Sequence, residues 1–334
     1  MKKVLITGAT GFIGKHLVKA NLKKKNKVRV LVREGNPAIS DLKKNGVEVF
    51  IGDIMDYNSV LNASKGMEII FHLAGTVTDW ASKSAYEVNI KGTEYACRAA
   101  TEVKVKRFVM ISTNDVFGRI EGPVIDESFP LTKYNEPYPD TKLEATKICR
   151  NYYEFENLPV TMVYPCWVYG EGDTSFIPPL ADALYTKDLI FWRKDVTVWP
   201  TYIDNLIDLL MLISEDKRAV GHGYLVHDGE STTLQELCAE IAKTLNVPPA
   251  TTHIPYFATY IAAIVMETIW RITGKTTRPL LTTYVIKNLG SRLKFSIAKA
   301  EKELGWKPKI SYQEGLKKAM AWLDTMDIKK LKVK

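Results

Sequence analysis

Cysteine is scarce. Cys97, Cys149, Cys166 and Cys238 are the only four in 334 residues, too scattered for the paired spacings of a zinc site or a redox dithiol. No disulfide framework and no metal site is expected, and a reducing cytoplasm is the compartment that fits. Internal repeats and low-complexity linkers are also missing, which excludes solenoids and disordered arrays. No apolar run reaches the roughly 20 residues that a membrane-spanning helix needs. The longest is uncharged from Pro255 to Met266, and Glu267 and Arg271 follow it one helical turn apart. It reads as a buried helix of a substrate lobe, or as one lying at a membrane interface. The first residues, MKKVLITGATGFIG, place two lysines before apolar residues as a secretory leader does. Thr7, Gly8 and Gly11 break that run and no small-residue cleavage site follows, so it reads as a buried strand and turn.

Apolar residues make up 46% and charged residues 25% of the chain, so it can build a large core as one big domain or two modest ones. Net charge is +8, with excess lysine at Lys23, Lys24, Lys25 and Lys27 and again at Lys329, Lys330, Lys332 and Lys334. Such runs form solvated faces, or are drawn to an anionic membrane surface. No zinc-finger or RNP-like motif accompanies the charge, which argues against nucleic acid.

Short β-branched runs at Val4–Thr7, Val28–Val32, Val47–Ile51, Glu68–Leu73, Arg107–Ser112 and Val160–Tyr164 alternate with helical patterns at His16–Lys24, Ser84–Val103 and Asp140–Glu156. Near-continuous apolar strands alternating with helices predict a doubly wound α/β domain with a parallel sheet covered on both faces. After Pro165 the rhythm breaks. The expected division is a dinucleotide-binding domain over 1–165, joined by chain returning at about 198–228. A smaller C-terminal α/β substrate lobe would take 166–197 and 229–325. Asp204 is expected to cap the helix in TVWPTYIDNLIDLLMLIS.

TGATGFIG puts Gly8, Gly11 and Gly14 directly after the first strand and at the opening of the first helix. Gly8 permits a tight turn, Gly11 lets the backbone approach a pyrophosphate, and Gly14 lets helix pack closely on strand. The helix N-terminus offers N–H groups to the anion. In this strand–turn–helix context the glycine triplet points to a dinucleotide. At the end of the second strand Arg33 suits the 2′-phosphate of NADP, whereas an acid there would suit NAD. Glu34 keeps NAD open. After the third strand Asp53 and Ile54 would meet the adenine, unless Asp53 only caps the following helix. Leu73, Ala74 and Gly75 end the fourth strand with small residues where the cofactor backbone would cross.

YPDTK places Tyr138 and Lys142 one helical turn apart on one face. About one or two such spacings arise by chance in a chain this rich in Tyr and Lys, so context decides. Ser112 and Thr113 end the fifth strand at the sheet's carboxyl edge, where ligands bind in this architecture. TGATGFIG, HLAG at 72–75, VNIKGT at 88–93, IST at 111–113 followed by VFG, YPDTK and YPCWVYG at 164–170 occur in that order. Together with AEKELGWKPKISYQEGL they make residues 1 to about 315 resemble the extended short-chain dehydrogenase/reductase family. The resemblance implies Tyr138 as acid and base at a carbonyl, Lys142 on the nicotinamide ribose and Thr113 hydrogen-bonded to the reacting oxygen. A nearby ammonium and a positive nicotinamide would bring the phenol down towards neutrality. Thr113 takes the catalytic hydroxyl because Ser112 alternates to the other face. Asn89 is expected to be structural. Thr10, Phe12, Ile13 and Pro165 complete the implied cofactor contacts.

Family members acting on nucleotide sugars typically carry an arginine and an asparagine where this chain has Tyr164 and Trp167, and another arginine where it has Trp199 and Pro200. The two missing anion contacts imply an apolar pocket. AGTVTDWASKSAYEVNIKGT resembles the branch with 3β-hydroxysteroid dehydrogenases and dihydroflavonol reductases. Trp80, Trp167 and Tyr169 are candidate pocket aromatics, Trp80 equally a core residue. The expected function is NADP-dependent interconversion of a secondary alcohol and a ketone on a lipid-, steroid- or polyketide-like substrate. The alternatives are a nucleotide-sugar epimerase or dehydratase and a non-catalytic NADP-sensing regulator. Expected partners are a small hydrophobic substrate, a membrane surface touched peripherally and a second copy in a homodimer.

Overall fold

The computed structural model describes residues 1–77, 83–194, 196–275, 277, 279 and 281–327, the side chains of 83–85 excepted. Its centre is a seven-stranded sheet: β1 (Lys3–Thr7), β2 (Lys27–Val32), β3 (Glu48–Ile51), β4 (Ile69–His72), β5 (Arg107–Ile111), β6 (Val160–Pro165) and β7 (Gly223–Val226). The spatial order is β7-β6-β5-β4-β1-β2-β3. Every pairing in it is parallel. Chain order reverses beside β1, which lies between β2 and β4, so a crevice opens at the carboxyl ends of β1 and β4.

Between the strands run α1 (Phe12–Lys23), α2 (Ile39–Lys44), α3 (Tyr57–Ser64), α4 (Lys83–Glu102) and α5 (Pro137–Glu156). Beyond β6 come α6 (Ile177–Tyr185) and α7 (Ile203–Ile213). After β7 follow α8 (Leu234–Thr244), α9 (Tyr256–Ile272), α10 (Thr283–Asn288), α11 (Ala298–Leu304) and α12 (Tyr312–Asp324). Period-2 alternation sends Val4 and Ile6 of β1 into a core with Leu17 of α1 and Leu206 of α7. Leu5 points the other way, to Val60 of α3, Ala96 of α4 and Leu143 of α5. Both faces are therefore covered, as the unbroken apolar strands require.

The chain that returns from the smaller lobe is held by a buried polar hub. Asp228 accepts hydrogen bonds from the Tyr202 N–H (2.8 Å), Asn205 Nδ2 (2.8 Å) and Tyr169 Oη (3.0 Å). Residues 167–169 and 200–202 pair in parallel beside it. Leu180 of α6, Leu237 of α8 and Leu323 of α12 share the core of α1 and α7, so lobe and sheet have one apolar interior. Only α9 and α10 have a small cluster of their own, with Ala263, Ile286 and Trp192.

Three helix starts differ clearly from expectation. α1 begins at Phe12, four residues before His16, directly after the glycine turn. α5 begins at Pro137, not Asp140, because proline at the first helical position gives up no helical hydrogen bond. Tyr138 thereby enters the first turn. Asp204 does not cap α7: Tyr202 is the N-cap residue and no side chain caps that end, while Asp204 sits in the first turn. There its charge favours the helix dipole. No described helix is long and apolar enough to cross a membrane.

The turn between β1 and α1 depends on absent side chains. A Cβ at Gly14 would lie 2.2 Å from the Gly8 carbonyl oxygen and 2.7 Å from Ala9 Cα. Gly14→Ala should therefore cost about 1–3 kcal/mol in urea denaturation, since backbone must move to admit it. An unchanged midpoint would show that the contact is not tight.

Candidate active site

The glycines build a cradle at the crevice. Gly8 has φ +73°, and a Cβ there would lie 2.7 Å from the backbone of Leu73 and Ala74, so only glycine lets this turn abut the end of β4. Gly11 is the N-cap residue of α1 and no side chain caps that end. A Cβ at Gly11 would approach only the Gly8 oxygen, at 3.4 Å, so its outer side is open. Open backbone before an uncapped helix N-terminus fits a pyrophosphate. Thr10, Phe12 and Ile13 occupy the same turn. Leu73, Ala74, Gly75 and, at the end of β6, Pro165 lie along the carboxyl edge.

At the ribose end Arg33 and Glu34 both leave β2 with exposed side chains. Asp53 is not the cap of α3. Its Oδ1 accepts the Met55 N–H (2.9 Å), whereas Asp56 caps the helix through the N–H groups of Asn58 and Ser59. Ile54 packs beside Gly92, where a Cβ would come within 3.0 Å of it. Asp53 and Ile54 are thus half-buried together at the tip of β3.

His72 locks β4 to its neighbours. Thr93 Oγ1 donates to the Asn89 carbonyl (2.7 Å), so it accepts from His72 Nε2 (3.0 Å). That tautomer leaves Nδ1 to accept from Thr7 Oγ1 (3.0 Å), which in turn accepts the Ala74 N–H (3.2 Å). Burial, and then the charge of Lys142, pushes the His72 imidazole down to about 3, so it stays neutral.

Tyr138 and Lys142 lie on the face of α5 that meets β5. Lys142 Nζ donates to the Ile111 carbonyl, and burial pulls its pKa down to about 8. The Thr113 hydroxyl, which accepts the Asp115 N–H (3.3 Å), is near enough to Tyr138 to favour its phenolate. Ser112 faces away: Thr146 Oγ1 donates to the Lys142 carbonyl (2.8 Å), so Ser112 Oγ donates to Thr146 (2.7 Å). Asn89 is a brace. It joins the loop after β4 to α5 by accepting the Thr76 N–H (2.8 Å) and donating to the Thr76 carbonyl (3.0 Å) and Thr141 Oγ1 (2.9 Å).

In the cofactor-free protein the Tyr138 phenol does not move towards neutrality as expected. Burial pushes it well above its ordinary value, the Asp115 carboxylate adds to this, and the nearby Thr113 hydroxyl opposes both. Lys142 is not among the groups that shift the phenol.

The pocket aromatics divide. Trp80 lies outside the described residues. Trp167 is half-buried against Phe176, ring centroids 4.7 Å apart. Tyr169 is not a pocket residue: its ring is wholly buried against Tyr202 and Tyr312, and its hydroxyl serves Asp228. Tyr164 is equally buried, edge-on to Phe117, and Trp199 stacks on His227 while donating to the Leu293 carbonyl (2.8 Å). Tyr164 thus replaces an anion contact with core, not with pocket wall, whereas Trp199 is half-buried.

A family model described as the NAD dependent epimerase/dehydratase family matches residues 4–226. The chain belongs to that family. A 2-alkyl-3-oxoalkanoate reductase of Shewanella oneidensis is 27% identical to it, over 95% of this chain and 85% of that one. A 3-beta-hydroxysteroid dehydrogenase of Mycolicibacterium neoaurum is 26% identical, over 97% and 93%. A dTDP-glucose 4,6-dehydratase from Streptomyces venezuelae, solved with NAD and TYD bound, superposes with a TM-score of 0.78 at 23% identity, over 96% of each chain. The extended short-chain dehydrogenase/reductase resemblance thus holds, and this member of the family is an NAD(P)-dependent oxidoreductase.

Three polar residues beside Tyr138 escaped the sequence reading. Tyr284 of α10 donates to Asp115 Oδ2 (3.2 Å). The Arg119 guanidinium stacks 4.6 Å above the Tyr134 ring, and its Nε and Nη2 are buried without a hydrogen-bond partner among the described residues. Burial pulls Arg119 down to about 10. Asp115 and Arg119 closely follow Thr113, but no spacing shows that Tyr284 joins them. The polar fringe makes the face around Tyr138 amphipathic where a purely apolar one was expected.

Asn89→Ala removes three hydrogen bonds, two to the Thr76 backbone and one to Thr141 of α5. It should lower stability by about 2–3 kcal/mol while leaving the glycine cradle intact. Thermal denaturation with and without NADPH tests this, and a fall in cofactor affinity to nothing would show that Asn89 does more than brace.

Proposed function

We propose that this family member is an NADP-dependent ketoreductase of hydrophobic carbonyl compounds. The observation that carries the reading is the grouping of Tyr138, Thr113 and Lys142 at the carboxyl edge, with the phenol held in its protonated form. A bound nicotinamide supplies the hydride. The residues of this chain handle the proton. Tyr138 gives its phenolic proton to the carbonyl oxygen as negative charge develops there, and Thr113 steadies that oxygen by a hydrogen bond. Lys142, anchored at Ile111, presents its ammonium to the nicotinamide ribose. A phenol whose pKa stands above neutrality is in the form that can donate. Trp167 and Phe176 offer apolar surface. Two of the relatives, a 2-alkyl-3-oxoalkanoate reductase and a 3-beta-hydroxysteroid dehydrogenase, support a hydrophobic substrate. Arg33 is proposed as the 2′-phosphate contact, because its exposed guanidinium ends the strand that delivers the ribose.

Tyr138→Phe keeps the ring and removes the proton. Turnover of a hydrophobic ketone with NADPH should fall by roughly 10²–10⁴-fold with cofactor binding retained; near wild-type turnover would end the proposal. Nucleotide sugars serve as the competing substrates, and turnover confined to them would make the chain an epimerase or dehydratase. Arg33→Ala should weaken NADPH by roughly 10–100-fold and spare NADH, and equal NADH binding by the wild type would reject the NADP preference. Asp115→Asn removes a charge that raises the phenol. A lower Tyr138 pKa means less acid form at high pH, so the basic limb of the kcat/KM profile for reduction should move to lower pH. A limb that stays in place would exclude Asp115 from this role.

A further inference from the structure

We infer that α9 docks the protein on an anionic lipid surface. Phe257, Ile261, Ile264, Val265, Ile269 and Ile272 follow one another at steps of four, three, one, four and three residues. They therefore line one side of the helix. They are 73%, 44%, 44%, 51%, 47% and 80% exposed. The opposite side is occupied: Thr259 and Ala263 are buried, and Ala263 packs with Ile286 and Trp192. Six large apolar side chains in one stripe form a patch that a chain free in water rarely leaves open. The helix has 17 residues, about 25 Å in length, and does not span a bilayer. Lying flat, it would bury the stripe among acyl chains while its opposite side stays packed on the protein.

Charge selects the lipid. At the end of α9 the sequence has Arg271, Lys275 and Arg278 against a single acid, Glu267, while Lys287 is paired with Glu136 (2.8 Å). Glu267 is already engaged, accepting the Thr283 N–H (2.7 Å) and standing 4.0 Å from Arg271. Lys275 Nζ lies 4.3 Å over the Trp270 ring at the end of the same helix, an aromatic and a base side by side where headgroups would begin. A second copy of α9 would bring no acidic partner to this end, whereas an anionic headgroup layer does.

The position gives the docking a use. Thr283, held by Glu267, precedes Tyr284, whose hydroxyl donates to Asp115 beside Tyr138. Glu267 and Arg271 also wall a cleft of about 750 Å³ whose other side includes Glu136, Pro137 and Thr141 of the α5 entrance. A lipid-soluble substrate leaving the bilayer at α9 would thus arrive one helix away from the catalytic pair. The docking itself does not depend on which substrate that is.

The experiment is flotation of the full chain with vesicles of phosphatidylglycerol and phosphatidylcholine in equal parts, and of phosphatidylcholine alone, at low and high salt. The wild type should float with the anionic vesicles and less so at high salt. Ile264→Glu with Ile269→Glu should reduce flotation at least tenfold, with the thermal midpoint and NADPH affinity unchanged because both positions are exposed. Lys275→Gln should reduce flotation about fivefold on anionic vesicles only. Wild-type protein that stays unbound overturns the inference. So does a double variant that floats like the wild type, which would assign the attraction to other lysines. A double variant that turns a dimer into a monomer in sedimentation, from a wild type indifferent to vesicles, assigns the stripe to a second copy instead.

Discussion

Much in this protein follows from two places where backbone touches backbone. Gly8 presses against the end of β4 and Gly14 against the carbonyl of Gly8, each at a distance that a single methyl group would forbid. The contact sets the first helix at the carboxyl edge of the sheet with an uncapped N-terminus beside β4. That edge is where β5 delivers Thr113 and where α5 runs past with Tyr138 and Lys142. Widening the turn by a methyl would shift the cradle away from the groups that act with it.

The catalytic helix is held by polar bonds more than by apolar contact at its first turns. Asn89 ties it to the loop after β4, Ser112 to the Thr146 hydroxyl, and Lys142 to the end of β5. The His72 relay fixes β4 from the other side. All of these bonds are at least half-buried, where an unpaired partner is costly and an alternative arrangement correspondingly disfavoured. Proton transfer tolerates little displacement, and this network supplies the rigidity.

The same burial sets the electrostatics. Desolvation dominates at Tyr138, Lys142, His72 and Arg119, raising the acid and lowering the bases. Each is thereby drawn towards its neutral form, and Asp115 reinforces the trend at the phenol. The phenol therefore holds its proton at neutral pH. Of the aromatics that stand in place of anion contacts, Tyr164 fills the interior, whereas Trp199 and Trp167 are half-buried, Trp167 against Phe176. The buried fringe of Asp115, Arg119 and Tyr284 offsets their apolar surface.

The primary structure alone carried the parallel sheet, the glycine turn, the placing of Tyr138 and Lys142 one turn apart on a helix, and the opposite facing of Ser112 and Thr113. All of these rest on short-range periodicity: two residues in a strand, about four on a helix, and the turn between them. Only the tertiary structure decided what depends on contacts across the chain. Asp56 rather than Asp53 caps α3, because the helix starts three residues later than the turn. Tyr169 goes to the core because Asp228, 59 positions away, takes its hydroxyl. Tyr284 enters the site from 169 positions beyond Asp115, and no local pattern records that approach. The stretch from Pro255 to Met266 read first as a buried helix and second as an interfacial one, since hydropathy gives the composition of a helix but not which of its faces finds a neighbour.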